Sequence, residues 1–190
     1  YSLVYLLRAK ICVCLGSGGA FVPRIIRQAQ RDLGIAKSSK TFLIDGNMPE
    51  TGWGEPLYLD KKSFFRSNFP DVEIIIDNTM AAAKLFREKK IKIDYLHIDA
   101  DHSFKGSLLD YETYRKFATK NFIITLHDSR FSKGVAKTVQ RIRTHCDVDV
   151  LDFNDLWCGL TIIKPKNSPF FTEELQKGFN INKPGFKPSK

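Results

Sequence analysis

Short, almost wholly apolar runs alternate along this chain with longer stretches in which apolar residues recur every three to four positions. ICVCLG at 11–16, KTFLIDG at 40–46, VEIIID at 72–77, DYLHID at 94–99 and NFIITLHD at 121–128 are the short runs. Their β-branched and large apolar side chains predict strands. AFVPRIIRQAQRDL at 20–33, AAAKLFREKK at 81–90 and SLLDYETYRKFA at 107–118 carry the helical period. VAKTVQRIRTH at 135–145 predicts one more helix, and VDVLDF at 148–153 with CGLTIIKP at 158–165 predicts a closing antiparallel pair. Strands apolar on both faces and separated by helices make a mostly parallel sheet with helices on both faces, a doubly wound α/β fold.

The longest break in this rhythm is NMPETGWGEPLYLDKKSFFRSNFPD at 47–71. It follows the carboxyl end of the second strand, where a lid would stand over a ligand, although its Trp53, Tyr58, Phe64 and Phe65 can equally pack back on the sheet. From 167 to 190 the pattern weakens into a basic extension with Pro and Gly, in which SPFFTEELQKG could form a short helix. At 190 residues the expected organisation is one domain over 1–166, the insertion within it, and that tail.

Charge and cysteines narrow the partners. Lys and Arg total 30 against 21 Asp and Glu, a net charge of +9 that favours anionic partners without naming one. Arg24, Arg27 and Arg31 recur on one helical face, and with Lys89, Lys90, Lys92 and the tail they allow a nucleic-acid reading. No apolar run is long enough to span a membrane. Cys12 and Cys14 share one strand face, and Cys146 and Cys158 lie far away. That pattern suits buried thiols in a reducing compartment, and hence a cytoplasmic protein, although a chain starting at Tyr1 carries no record of earlier processing.

In doubly wound sheets ligands bind at the carboxyl ends of the strands. Here those ends carry Gly16–Gly19, Asp45, Asp77 with Asn78, Asp99–His102, and His127 with Asp128. The glycines permit a tight turn and close backbone approach, and the helix that follows presents unpaired amides. A dinucleotide fingerprint would need glycine where Phe21 stands, which argues against NAD. Asp45 can accept from both hydroxyls of a ribose, and Asp77 or Asn78 can meet an adenine edge, although IDGN and DNT also suit a turn and a helix cap. Asp99 and Asp128, at consecutive strand ends, can converge on one divalent cation. His102, three residues beyond Asp99, has a pKa range suited to a general base near neutrality. Asp99 and Asp101 can instead cap the helix near Ser103, and His127 can be a packed strand residue or a metal ligand. The oxygen-rich set favours magnesium over zinc, with calcium or manganese as alternatives.

LGSGG at 15–19, LID at 43–45, YLHIDADHSFKG at 95–106 and ITLHDS at 124–129 together resemble the class I S-adenosylmethionine-dependent methyltransferases. The likeness is greatest to metal-assisted small-molecule O-methyltransferases of the macrolide-sugar and cephalosporin-biosynthesis type, and it spans about residues 11–165. The resemblance implies a seven-stranded sheet with its last added strand antiparallel. It implies S-adenosylmethionine bound near Gly16, Ser17, Gly18 and Gly19, with Asp45 on the ribose, Asp77 or Asn78 near the adenine, and Asp99 facing the cofactor. It further implies Asp99 and Asp128 as metal ligands, with His127 where related enzymes often have an acidic residue, and His102 as base. The expected partner is a hydroxyl-bearing small molecule such as a sugar or phenol. RNA ribose methylation and a noncatalytic nucleoside-binding scaffold are the alternatives.

Overall fold

A computed structural model describes residues 1–16, 19–46, 60–153, 157–166 and 168 of the chain. The chain opens with helix α1 (Ser2–Leu7), strand β1 (Ile11–Leu15), helix α2 (Phe21–Asp32), strand β2 (Lys40–Asp45) and helix α3 (Phe64–Asn68). Strand β3 (Glu73–Ile76), helix α4 (Thr79–Glu88), strand β4 (Ile93–Ile98), helix α5 (Phe104–Arg115), strand β5 (Ala118–His127) and helix α6 (Lys133–Ile142) continue the alternation. Strands β6 (Val148–Phe153) and β7 (Leu160–Pro165) close it. The seven strands form one sheet in the order β3-β2-β1-β4-β5-β7-β6. Pairing is parallel from β3 to β5, and β7 runs antiparallel to both β5 and β6. The expected doubly wound α/β fold is therefore present.

Strand alternation divides the core between the two sheet faces. Val13, Leu15, Phe42, Ile44, Leu96, Ile98, Ile124 and Leu126 pack with residues of α4, α5 and α6, among them Phe86, Tyr111, Tyr114 and Ile142. Cys12, Cys14, Leu43, Tyr95 and Ile123 pack with Val4, Ile26 and Ala29 of α1 and α2 and with Phe65 and Phe69. The inner strands β1, β2, β4 and β5 thus bury both faces, which explains why their runs read as continuously apolar, whereas the edge strands β3 and β6 stay largely exposed. Cys12 and Cys14 are buried free thiols, as expected, and Cys146 is free but exposed. No helix among the described residues is long and apolar enough to cross a membrane.

Two expectations change with the packing. The first half of the 47–71 insertion, with Trp53 and Tyr58, lies outside the described residues, as do 169–190 with the helix considered there. In the second half Phe65 and Phe69 are buried against the sheet, while Phe64 is exposed. The arginines of α2 do not form an open phosphate-binding face. Arg27 is buried, pairing with Asp71 at 2.6 Å and donating to Gln30, Ser39 and the Ala36 carbonyl. Arg31 also pairs with Asp71, at 2.9 Å, and Arg24 stacks over Phe21 and Phe64. The acidic partner that draws Arg27 inward lies 44 residues away in sequence, beyond the reach of a helical pattern.

Candidate active site

The strand register lines up the expected residues along one edge. Leu15 is level with Ile44 on β2 and with Ile98 on β4, and Ile98 is level with Leu126 on β5. The next residues, Asp45, Gly16, Asp99 and His127, consequently follow one another across the sheet, and Asp77, after β3, extends the row beyond Asp45 through its N–H to the Asp45 carbonyl at 3.1 Å. The strand order reverses between β1 and β4, so Gly16 and Asp99 flank the crevice where such sheets bind ligands. Gly16 has φ 79°, and a Cβ there would stand 2.1 Å from the Asp99 carbonyl oxygen. Only glycine lets the two loops approach this closely.

The helix starts differ in a way that bears on this edge. Asn78, Ser103 and Ser132 cap α4, α5 and α6 by accepting N–H groups of Ala81, Gly106 and Val135. At α2 the cap residue is Ala20, with no side-chain oxygen to offer, and φ is 57°. The first-turn amides of α2, beside the glycine turn, therefore suit an external polar group.

Beyond β4 and β5, two carboxylates and two imidazoles alternate around one point. His102 Nε2 lies 2.9 Å from Asp128 Oδ2 and 3.3 Å from Asp99 Oδ1. His127 Nδ1 lies 3.3 Å from Asp99 Oδ1 and 3.2 Å from Asp128 Oδ1. Neither nitrogen makes a hydrogen bond of acceptable direction, although both are buried. Close nitrogen and oxygen atoms without hydrogen-bond alignment are what a shared cation would organise. Ligand atoms of Asp99, His102 and Asp128 lie within 4.8 Å of one another, as do those of His127, Asp128 and Cys158. The donor set therefore fits a divalent metal.

The charges reinforce one another. Burial opposes ionisation of Asp99, but His102 and His127 outweigh it and hold the carboxyl well below its ordinary range. Asp99, foremost, and Asp128 raise the pKa of both His102 and His127 against the effect of burial. His97 behaves oppositely: its side chain is only 5% exposed, and burial pushes its pKa down to about 4. Its Nδ1 meets Thr125 Oγ1 at 2.9 Å, Thr125 also meets Tyr95 Oη at 3.0 Å, and its Nε2 stands 3.9 Å from Asp99 Oδ2. His97 is thus a neutral polar support behind Asp99.

Loop contacts fix the remaining members. Ser103 itself, rather than Asp99 or Asp101, caps α5, and Asp101 accepts the Ser103 N–H at 2.7 Å, which fixes the turn leading into that cap. The Ser132 hydroxyl donates to the His102 carbonyl at 2.9 Å, tying that loop to the start of α6. Asp128 adopts a left-handed backbone with φ 57°, a conformation that costs a non-glycine residue about 1–2 kcal/mol. Strain of this kind concentrates at functional sites.

The structure thus brings together Asp99, His102, His127 and Asp128, with Gly16 adjacent. Gly19, Asp45, Asp77 and Asn78 lie along the same edge. Asn78 caps α4, and Asp77 accepts the Asn78 N–H at 2.8 Å. Ser17 and Gly18 lie outside the described residues. Sequence reading missed His97, whose only signal is a histidine in the middle of an apolar strand, two residues before Asp99 and so on the same strand face. It also missed Cys158, 30 residues beyond Asp128, for which local spacing offers no signal.

A seven-stranded, mostly parallel sheet with an antiparallel β7 and acidic residues at its carboxyl edge defines the Rossmann-like architecture of class I methyltransferases. The family model described as a methyltransferase domain matches residues 13–129, and the chain belongs to that family. It is an S-adenosylmethionine-dependent methyltransferase. Solved structures share the fold at low sequence identity. An O-methyltransferase from Bacillus cereus in complex with SAH is 15% identical with a TM-score of 0.68, covering 87% of this chain and 78% of that one. The O-methyltransferase TomG from Streptomyces achromogenes, involved in tomaymycin synthesis and solved with SAM, is 11% identical with a TM-score of 0.67, covering 86% and 76%. An SAH-bound methyltransferase from Podospora anserina is 13% identical with a TM-score of 0.64, covering 86% and 75%. No curated protein matches the chain.

Proposed function

We propose that this methyltransferase acts on a hydroxyl of a small molecule, such as a sugar or a phenol, with a divalent cation at the Asp99 and Asp128 edge. The observation that carries the reading is the convergence of a histidine with two carboxylates beside the β1 and β4 crevice, within hydrogen-bond range of one another. O-methylation in two of the compared structures is consistent with it.

S-adenosylmethionine would lie across Gly16–Gly19, including Ser17 and Gly18, with its ribose at Asp45 and its adenine toward Asp77 or Asn78. Asp99 is close enough to the Gly16 turn to face cofactor and acceptor together. Asp99, Asp128 and His127 would hold a divalent cation, which would supply positive charge that favours an ionised hydroxyl. His102, whose Nε2 stands beside both Asp99 and Asp128, takes the hydroxyl proton. The acceptor oxygen then forms a bond to the methyl carbon as the carbon–sulfur bond breaks. The bonding pair stays on sulfur, leaving S-adenosylhomocysteine and a methyl ether, and His102 returns its proton to solvent. Holding the two reactants in line provides most of the rate gain, with no covalent enzyme intermediate.

Incubation with methyl-labelled S-adenosylmethionine and a panel of phenols, catechols and sugars tests the proposal. The expected result is label in a methyl ether, formed only when acceptor is present. Label on nitrogen or carbon, or transfer to RNA in preference to every small acceptor, would overturn it.

A further inference from the structure

We propose that Cys158 completes the cation site, making it selective for a thiophilic, borderline divalent metal such as zinc rather than for magnesium. The inference rests on the metal-assisted reading above and deepens it.

Topology brings the thiol to the site. β7 is antiparallel to β5, so its first residue, Leu160, is level with the last residue of β5, His127. The residues just before β7 therefore stand over those just after β5, at the same sheet edge as Asp99 and Asp128. Backbone contacts lock the arrangement: the N–H groups of Arg130 and Phe131 both donate to the Cys158 carbonyl, at 3.1 and 3.2 Å. Gly159 has φ 77°, and a Cβ there would meet the Arg130 nitrogen at 2.5 Å, so the turn behind the cysteine can close only with glycine. Ligand atoms of Cys158, His127 and Asp128 then lie within 4.8 Å of one another.

The spacing and chemistry of the set agree. Atoms about 2.0–2.1 Å from one tetrahedral cation stand roughly 3.3 Å apart. His127 Nδ1 lies 3.3 Å from Asp99 Oδ1 and 3.2 Å from Asp128 Oδ1. Asp128 turns its other oxygen, Oδ2, to His102 at 2.9 Å, so the two histidines meet different oxygens of this carboxylate, and Cys158 groups with His127 rather than with His102. His97 gives an independent sign of a site built for a cation. It is buried, its Nε2 is unpartnered, and that atom is directed toward the far oxygen of Asp99. An imidazole behind a ligating carboxylate orients it. Thiolate with imidazole and carboxylate is the donor mixture of zinc and cobalt sites, whereas magnesium prefers oxygen ligands and bound water. Magnesium was favoured from the sequence because no cysteine stood at metal-ligand spacing from His127. The antiparallel β7 supplies one across 30 residues.

Cobalt(II) reports the ligands by absorption: thiolate coordination adds a charge-transfer band in the near ultraviolet, separate from the visible bands of any cobalt site. Full-length protein would be titrated with cobalt, alongside Cys158→Ser and, as a thiol control, Cys146→Ser. The expected result is a near-ultraviolet band saturating at one equivalent, kept in Cys146→Ser and absent from Cys158→Ser. Zinc should displace the cobalt, a large magnesium excess should not, and zinc affinity should fall in Cys158→Ser by roughly 10–100-fold or more. Visible bands without the thiolate band, or displacement by magnesium, would overturn the inference while leaving a metal-assisted reaction intact. A failure to bind cobalt at all would overturn both the inference and the metal in the proposed function. Circular dichroism of Cys158→Ser separates loss of a ligand from loss of fold, and the magnesium competition on unaltered protein decides the question if that variant does not fold.

Discussion

Asp99 connects the two halves of the site at residue scale, because its loop abuts Gly16 while its carboxylate faces His102 and His127. Replacing Gly16 with alanine adds a left-handed backbone cost of about 1–2 kcal/mol and an overpacking cost of about 1–3 kcal/mol. Thermal unfolding of Gly16→Ala should show a loss of about 2–5 kcal/mol, and calorimetry should show weaker cofactor binding. The raised pKa values of His102 and His127 set a second expectation, for metal-free protein. A folded-state pKa above the unfolded value near 6.5 contributes stability that is fully present below that value and is lost as pH rises through the folded pKa. Asp99, depressed in the fold, contributes stability above about pH 4 that is lost as pH falls through its lowered pKa. With chelator present, Tm should therefore decline on going from pH 6 toward alkaline values within the histidine window, and His102→Gln should flatten that decline. An unchanged slope would remove His102 from the coupled set. Asp99, His102 and Asp128 were legible as polar residues at the ends of apolar runs. His97 was not, because a buried histidine in a strand has the same sequence appearance as a packing residue until its neighbour Thr125 is known.

Elements decide which of these residues meet. Parallel neighbours β1, β4 and β5 end at the same edge, so their terminal residues were predictable as a group from the βα rhythm. Strand β7 enters between β5 and β6 in the opposite direction, and only that insertion places Cys158 beside Asp128. A closing antiparallel pair was readable in the sequence, but the position of its inner strand depends on packing. Helix α2 illustrates the reverse error. Three arginines at helical spacing suggested an exposed basic face, yet Arg27 turns into the protein and anchors α2 to Asp71 and to the short turn before β2. Arg27→Met should cost about 1.5–3 kcal/mol, the usual range for hydrogen bonds to a charged group, because Gln30 and the Ser39 and Ala36 carbonyls lose their donor. Urea denaturation would measure this. A change within a few tenths of a kcal/mol would mean that the pair is structurally idle.

For the whole molecule, the sheet gathers its polar strand ends on one edge while the two cores on its faces supply rigidity. The net charge of +9 favours encounter with anionic partners, but the proposed chemistry depends on a local acidic and imidazole cluster of opposite character. Fold and reaction class could therefore be read from the strand pattern and its polar ends, whereas the proposed metal preference and the place of His97 needed the three-dimensional neighbours of Asp99 and Asp128. The most direct measurement compares acceptor-dependent S-adenosylhomocysteine formation by unaltered protein and Asp128→Asn, with S-adenosylmethionine affinity determined on the same samples. Asp128 follows β5, two strands from the Gly16 turn after β1, and stands 2.9 Å from His102, so the substitution should leave cofactor affinity within about twofold while turnover falls by roughly 10²–10⁴-fold, the range expected when the proton transfer proposed for its neighbour His102 is disabled. Undiminished turnover in Asp128→Asn would contradict the assignment of this cluster as the methyl-transfer site.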